Sequence, residues 1–136
     1  MYTPFQEATY LPIDLQCDTM KVRHDWKKAV DPQDAATYRK LPLISASAAR
    51  TADGRMVVSL VNVSLNEQQE LSLSLDGFNA MNVSGRILTS SNVADFNDFS
   101  HPQRVAPVAF RDARLKKNVL SVKLPARSVV VLTLEP

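Results

Sequence analysis

The segment Glu-Leu-Ser-Leu-Ser-Leu-Asp at 70–76 decides the fold class of this chain. Its leucines, Leu71, Leu73 and Leu75, alternate with serines, and side chains two positions apart lie on the same face of a β-strand. One apolar face and one polar face therefore predict a strand that is buried on one side only.

A second pair of strands is predicted just before this segment. The dense β-branched run RMVVSLVNV occupies 55–63, and ISASAAR occupies 44–50. Asp53-Gly54 lies between them and is a two-residue hairpin signal, because both residues tolerate the positive φ that such turns need. The two runs are therefore predicted to pair as an antiparallel hairpin.

Further strands are predicted from Thr9 to Leu15, Val83 to Thr89, Val119 to Leu124 and Val129 to Leu134. The last of these is apolar on both faces, which is typical of a central strand covered on both sides. Pro125 falls between the last two strands, where its missing N–H is tolerated. Several strands without a convincing helical period predict an all-β fold, a β-sandwich.

The 136 residues fit one domain spanning 1–136, with two irregular stretches. A variable loop is predicted at 16–42, which is rich in basic residues, and a short helical turn is predicted within it at 31–40. A long loop is predicted at 90–109, and loops of this length are usually functional or docked against something.

Charge and composition exclude several classes of function. The formal net charge is only +2, from 16 basic and 14 acidic residues, so nucleic acid and membrane surfaces are not expected partners. No run approaches the roughly 20 apolar residues of a membrane helix. The single cysteine, Cys17, has no partner for an internal disulfide, and the sequence leaves the compartment open.

Several phrases, taken in order, resemble one known family. They are Met1-Tyr2 with Ala8-Thr9 and Leu11-Pro12, the paired runs at 44–63, the loop phrase FNDFSHPQRVAPVAF at 96–110, and the final turn at 124–128. Together they resemble the C-terminal all-β domain of α-L-arabinofuranosidases of glycoside hydrolase family fifty-one. The resemblance implies a jelly-roll-like arrangement of the sandwich.

The resemblance implies that the catalytic residues lie outside this chain. In this family a preceding (β/α)₈ barrel does the chemistry, and such a barrel needs roughly 250 residues. Retaining glycosidases use two carboxylates roughly 5 Å apart, and by resemblance both are glutamates of the barrel. The glutamates here match no catalytic motif, so no catalytic, cofactor-binding or metal-binding residue is expected among Glu7, Glu67, Glu70, Glu135 or their neighbours.

The expected partner is the catalytic barrel of the same parent chain, which would act on plant polysaccharides such as arabinan and arabinoxylan. Tyr2 and Phe5 are the candidate barrel-interface residues, and a homo-oligomer is a further expectation. A metal reading of Asp95, Asp98, Asp112 and His101 is disfavoured, because their spacing matches no zinc or calcium pattern.

Two alternatives remain at this point. In the first, the chain is an autonomous carbohydrate-binding module, and Trp26 and Tyr38 stack on sugar rings. The simpler interpretation is that Trp26 covers one face of the sandwich. In the second, the chain is a structural or adhesive β-sandwich unrelated to sugars, which has only the fold class behind it.

Overall fold

The computed structural model describes residues 1–23 and 38–136. Within these ranges the chain forms one 3₁₀ turn at Thr3–Phe5, no α-helix and eleven β-strands. The strands are β1 (Thr9–Leu11), β2 (Thr19–Arg23), β3 (Tyr38–Pro42), β4 (Ile44–Arg50), β5 (Met56–Asn62), β6 (Gln69–Ser74), β7 (Asn82–Thr89), β8 (Val108–Ala109), β9 (Ala113–Lys116), β10 (Val119–Leu124) and β11 (Ser128–Glu135).

The strands form three antiparallel sheets. The large sheet has the order β1-β4-β5-β11-β7-β8 and the small sheet has the order β6-β10-β9, while β2 and β3 form a two-stranded sheet. Residues from the large and small sheets belong to one hydrophobic cluster, so these two sheets pack face to face. The predicted all-β sandwich is confirmed.

Alternation within the strands explains how the core forms. In β10 the buried residues Leu120, Val122 and Leu124 alternate with exposed neighbours. They meet Val130 and Leu132 of the large sheet in the common cluster. Each buried aliphatic side chain contributes about 1.5–3 kcal/mol relative to an exposed one, so this cluster dominates the stability of the sandwich.

Strand β11 is central, as its two apolar faces predicted. It pairs with β5 on one side and β7 on the other. Its Val131 lies on the side away from the common core, and its side chain is nonetheless buried, with only 5% exposed. This side of the large sheet, which we call the outer face, carries one row of paired residues across four strands: Ser59, Val131, Arg86 and Ala109.

The predicted hairpin between β4 and β5 is confirmed, but its turn differs from the prediction. The Thr51 N–H donates to the Arg55 carbonyl at 2.9 Å, and the Gly54 N–H donates to the Thr51 carbonyl at 3.0 Å. Three residues, not two, therefore connect the paired ends, and Gly54 takes φ +86°. A type I turn followed by a left-handed glycine is the usual three-residue solution.

A charge pair closes this turn. Arg55 lies 2.6 Å from Asp53 (Nη2 to Oδ2), and the Thr51 hydroxyl also donates to the Asp53 carboxylate. The hydrogen bond from the Arg55 side chain, with a smaller one from Thr51, lowers the pKa of Asp53 from 3.8 to about 2.

The predicted loop at 16–42 is partly wrong. Thr19–Arg23 and Tyr38–Pro42 are paired strands, with Met20 opposite Leu41 and Lys21 opposite Lys40. The alternation of Met20 and Val22 with charged residues suits a strand with one covered face, and the density of charge masked this pattern. The predicted helical turn at 31–40 is wrong for Tyr38–Lys40, which lie in β3, and its remainder lies outside the described residues.

Two boundaries and one strand differ from prediction. Strand β1 ends at Leu11, because Pro12 has no N–H to continue the ladder. The long loop ends at Pro107, since Val108–Ala109 pair with the edge of β7. Strand β9 was not predicted. The first and last strands, β1 and β11, both lie in the large sheet.

Candidate functional site

The N-terminal turn, with Tyr2 and Phe5, is fastened to the outer face of the large sheet. Pro4 lies in the first positions of the 3₁₀ turn, and the Phe5 N–H donates to the Tyr2 carbonyl at 2.9 Å. The Tyr2 hydroxyl and the Ser59 hydroxyl are 2.8 Å apart. The two aromatic rings pack at a centroid distance of 5.7 Å. Tyr2 remains 48% exposed, so the turn offers an apolar surface to solvent.

Of the two candidate sugar-contact residues, the structure describes Tyr38 alone. Tyr38 begins β3, is half-buried and pairs with Arg23 of β2. Trp26 lies outside the described residues. The pairing of β2 with β3 therefore places Tyr38 opposite Arg23 and next to Arg39.

An apolar groove separates the β2–β3 hairpin from the sandwich. Its volume is about 590 Å³. Side chains from the hairpin, from the segment before it and from the end of the large sheet form the lining, which consists of Leu15, Met20, Val22, Leu41, Pro42, Ile44, Ser45, Ala46 and Val63. A smaller groove of about 390 Å³ lies beside the small sheet and is lined mostly by polar residues, among them Ser72, Arg114 and Lys123.

The glutamates lie at separate surface positions. Glu70 pairs with Lys123 at 3.1 Å between the two neighbouring strands β6 and β10. Glu67 and Glu135 are exposed in a loop and at the end of β11, and Glu7 follows the N-terminal turn with φ 58°. An exposed carboxylate of this kind is well solvated, which is the environment of an ordinary surface glutamate.

The acidic residues of the long loop serve the loop itself. The Asp98 carboxylate accepts the His101 backbone N–H at 2.6 Å and lies 3.2 Å from the His101 ring Nδ1. Asp95 accepts the Ser90 hydroxyl and lies 3.9 Å from Arg104. In the ranges 1–23 and 38–136, no group of three or more His, Cys, Asp or Glu side chains is arranged to hold a metal ion.

Two aromatic residues of the long loop were not singled out from the sequence. Phe96 is 64% exposed and Phe99 is fully exposed. Between them, Asn97 closes the loop: its Nδ2 donates to the Val105 carbonyl at 3.0 Å, and its Oδ1 accepts the Val105 N–H at 2.8 Å. Two phenylalanines within a stretch of Asn, Asp and Ser are the sequence signal that could have identified them.

Within the part of the chain that the structure describes, no helix is long and apolar enough to span a membrane. Fold and surface together define a class of protein, a β-sandwich domain with exposed apolar side chains at its N-terminus and in one long loop.

The family follows from comparison with known proteins. A family model described as the α-L-arabinofuranosidase C-terminal domain matches residues 1–128. The chain belongs to this family. An intracellular exo-α-L-arabinofuranosidase from Bacteroides ovatus is 39% identical over 135 residues, which are 99% of this chain and 24% of that protein.

Solved structures agree. The GH51 arabinofuranosidase from Xanthomonas axonopodis pv. citri matches with a TM-score of 0.81 and 34% identity, over 98% of this chain and 24% of that one. The α-L-arabinofuranosidase from Thermotoga maritima matches with a TM-score of 0.68 over 89% of this chain and 24% of that one, and at 15% identity this shows the fold alone. The chain thus spans about a quarter of the length of these relatives.

Proposed function

We propose that this chain is the non-catalytic C-terminal domain of an α-L-arabinofuranosidase whose catalytic barrel precedes it. The observation that carries the proposal is the 39% identity over 99% of this chain, which corresponds to only 24% of the related enzyme. The complete enzyme would remove terminal α-L-arabinofuranosyl groups from arabinan or arabinoxylan. Residues 1–136 would form a single accessory domain.

The division of labour follows from the chemistry. Hydrolysis with retention needs a nucleophilic carboxylate and an acid/base carboxylate held about 5 Å apart. The glutamates of this chain are exposed and lie on different elements, and Glu70 is paired with Lys123. The preceding barrel would supply both catalytic groups, and the sandwich would support the barrel. Tyr2 and Phe5, which lie where the barrel would join, are proposed to contact it.

The decisive test is an assay on a chromogenic arabinofuranoside. The 136-residue chain is compared with the polypeptide that includes the region encoded upstream. Activity is expected only in the longer polypeptide, and it should survive Glu70→Gln and Glu135→Gln. Activity of the 136-residue chain itself, or its loss in either glutamine variant, would assign catalysis to this domain and refute the proposal.

A second candidate function is carbohydrate binding by the isolated domain. The observation that favours it is the half-buried aromatic ring of Tyr38, which begins β3 opposite Arg23 of β2. Affinity for arabinan or xylan should then be measurable and should fall at least about tenfold on Tyr38→Ala or Trp26→Ala, since a stacking aromatic ring supplies much of the contact area. Equal affinity of the variants and the parent would exclude these two residues as sugar contacts.

A further inference from the structure

We infer that the long loop at 90–107 is a docking loop, and that Phe96 and Phe99 insert into the domain that precedes this chain in its parent polypeptide. The inference rests on the proposed function, because that function supplies the partner. Both rings are exposed on a loop whose shape is set by its own hydrogen bonds. Exposed aromatic anchors of this kind are typical of the centre of a protein–protein interface.

The loop is organised before any partner binds. The Asn97 side chain is paired with the backbone of Val105 through two hydrogen bonds, and the Arg86 guanidinium donates to the Pro107 carbonyl at 3.0 Å. Asp98 fixes the turn to His101. A loop that is already ordered loses little conformational entropy on binding, so its apolar anchors contribute more of their burial to affinity.

The same hydrogen bonds argue against a sugar as the occupant. A glycan needs polar side chains that are open to its hydroxyl groups beside the aromatic surface. Here the side chains of Asp95, Asn97 and Asp98 are directed to partners within the loop. Phenylalanine has no polar atom of its own. The loop therefore presents an apolar surface, which suits a protein partner.

The position of the loop selects the preceding domain as that protein. Arg86, which holds the base of the loop, lies in the same row of the outer face as Ser59, which holds Tyr2. Ala109, just after the loop, is three strands from Ser59 in this row, a distance of about 14 Å at the usual strand spacing. The N-terminal turn and the loop base are thus neighbours on one face.

The size of the partner completes the argument. A (β/α)₈ barrel of about 250 residues has a radius of gyration of about 18 Å. Joined at Met1 and resting on the outer face, such a body extends further than the 14 Å or so that separates the two features. The barrel would therefore contact both the Tyr2–Phe5 turn and the long loop at the same time.

The test uses the complete polypeptide, with its preceding domain, in amide hydrogen exchange followed by mass spectrometry. We expect the peptide that contains Phe96 and Phe99 to exchange at least about tenfold more slowly than in the double variant Phe96→Ser/Phe99→Ser. The double variant should also lower the melting temperature. Val119→Ser is the control, because Val119 is 41% exposed on the small sheet, and it should leave the exchange of the peptide that contains Phe96 and Phe99 unchanged.

The outcomes separate this inference from the proposed function. Arabinofuranosidase activity with rapid exchange at Phe96 and Phe99 would overturn the docking loop and leave the proposed function standing. Slow exchange without that activity would support the docking loop and refute the function. Protection that grows with protein concentration would assign the loop to a second copy, and protection that appears only with added arabinan would assign it to a glycan. Either result would overturn the inference.

Discussion

The side-chain amide of Asn62 donates to the backbone carbonyl of Leu124 at 3.2 Å, although the two residues lie 62 positions apart in the chain. The same amide reaches the carbonyls of Glu67 and Pro125 at 2.9 and 3.0 Å, and its Oδ1 accepts the Ser64 N–H at 3.0 Å. Asn62 ends β5 of the large sheet, and Leu124 ends β10 of the small sheet. One buried polar side chain therefore fastens the two layers at this end.

Replacing this side chain should weaken the whole domain. Asn62→Ala removes the partner of several backbone groups, and a buried group left without a partner costs about 1–3 kcal/mol. We expect the free energy of unfolding to fall by about 3 kcal/mol in urea denaturation. The control is Asn66→Ala, which changes an exposed asparagine in the loop that follows β5. Equal midpoints for the two variants would show that the Asn62 hydrogen bonds do not stabilise the fold.

Gly85 should not tolerate a side chain. A Cβ at this position would lie 2.6 Å from Leu132 Cδ2 and 3.3 Å from Phe110, and both of these side chains are buried. Overpacking of this kind costs about 1–3 kcal/mol, so Gly85→Ala should lower the melting temperature. Ser84→Ala, at the exposed neighbouring position, is the control for strand propensity. A melting temperature unchanged or raised in Gly85→Ala would mean that the core repacks freely around β7.

The charge pair in the β4–β5 turn should make part of the stability depend on pH. Because the pKa of Asp53 is lowered from 3.8 to about 2, the folded state favours the ionised carboxylate. This contribution is fully present above pH 3.8 and is lost as the pH falls to about 2. Asp53→Asn should therefore be less stable than the parent at pH 6 and equally stable near pH 2.

Stability curves of the parent and of Asp53→Asn over this range measure the effect, with Asp14→Asn as a control outside the turn. A difference between parent and variant that stays constant from pH 6 to pH 2 would contradict the assigned role of the carboxylate.

The long loop should open when the two hydrogen bonds between the Asn97 side chain and the Val105 backbone are removed. Asn97→Ala deletes both hydrogen bonds to Val105 and leaves the rest of the loop unchanged. Limited proteolysis between residues 97 and 105 should accelerate. The melting temperature should change by little, because these two hydrogen bonds are exposed to solvent. Asn79→Ala, at another exposed asparagine, should leave the cleavage rate as it is. An equal rate in Asn97→Ala and the parent would show that other contacts hold the loop.

Much of the architecture was predictable because burial imposes a period of two on a strand. The leucines at Leu71 and Leu73 and the alternation in β10 placed two strands of the small sheet correctly. The apolar faces of β11 placed it at the centre of the large sheet. The family could also be recognised from its phrases, and comparison over residues 1–128 confirmed it.

The parts that escaped prediction depend on partners distant in the chain. β8 is only two residues long and exists because the edge of β7 accepts it. The strands β2 and β3 pair with each other in a two-stranded sheet, and their dense charge hid a weak alternation of apolar residues. Phe96 and Phe99 have apolar side chains, and sequence alone could not show that the folded loop leaves them outside the core.

The sequence by itself thus determined the all-β class, the central strand and the family, because alternation and short phrases are local properties of the chain. Only the tertiary structure decided that Asn62 joins the two sheets, that Tyr2 contacts Ser59 and that the base of the long loop is held by Arg86 in the same row of the outer face as Ser59. The first two relationships are contacts between residues tens of positions apart, and the third is a shared row of the outer face. They depend on which strands become neighbours, and that is settled by the packing of the whole sandwich.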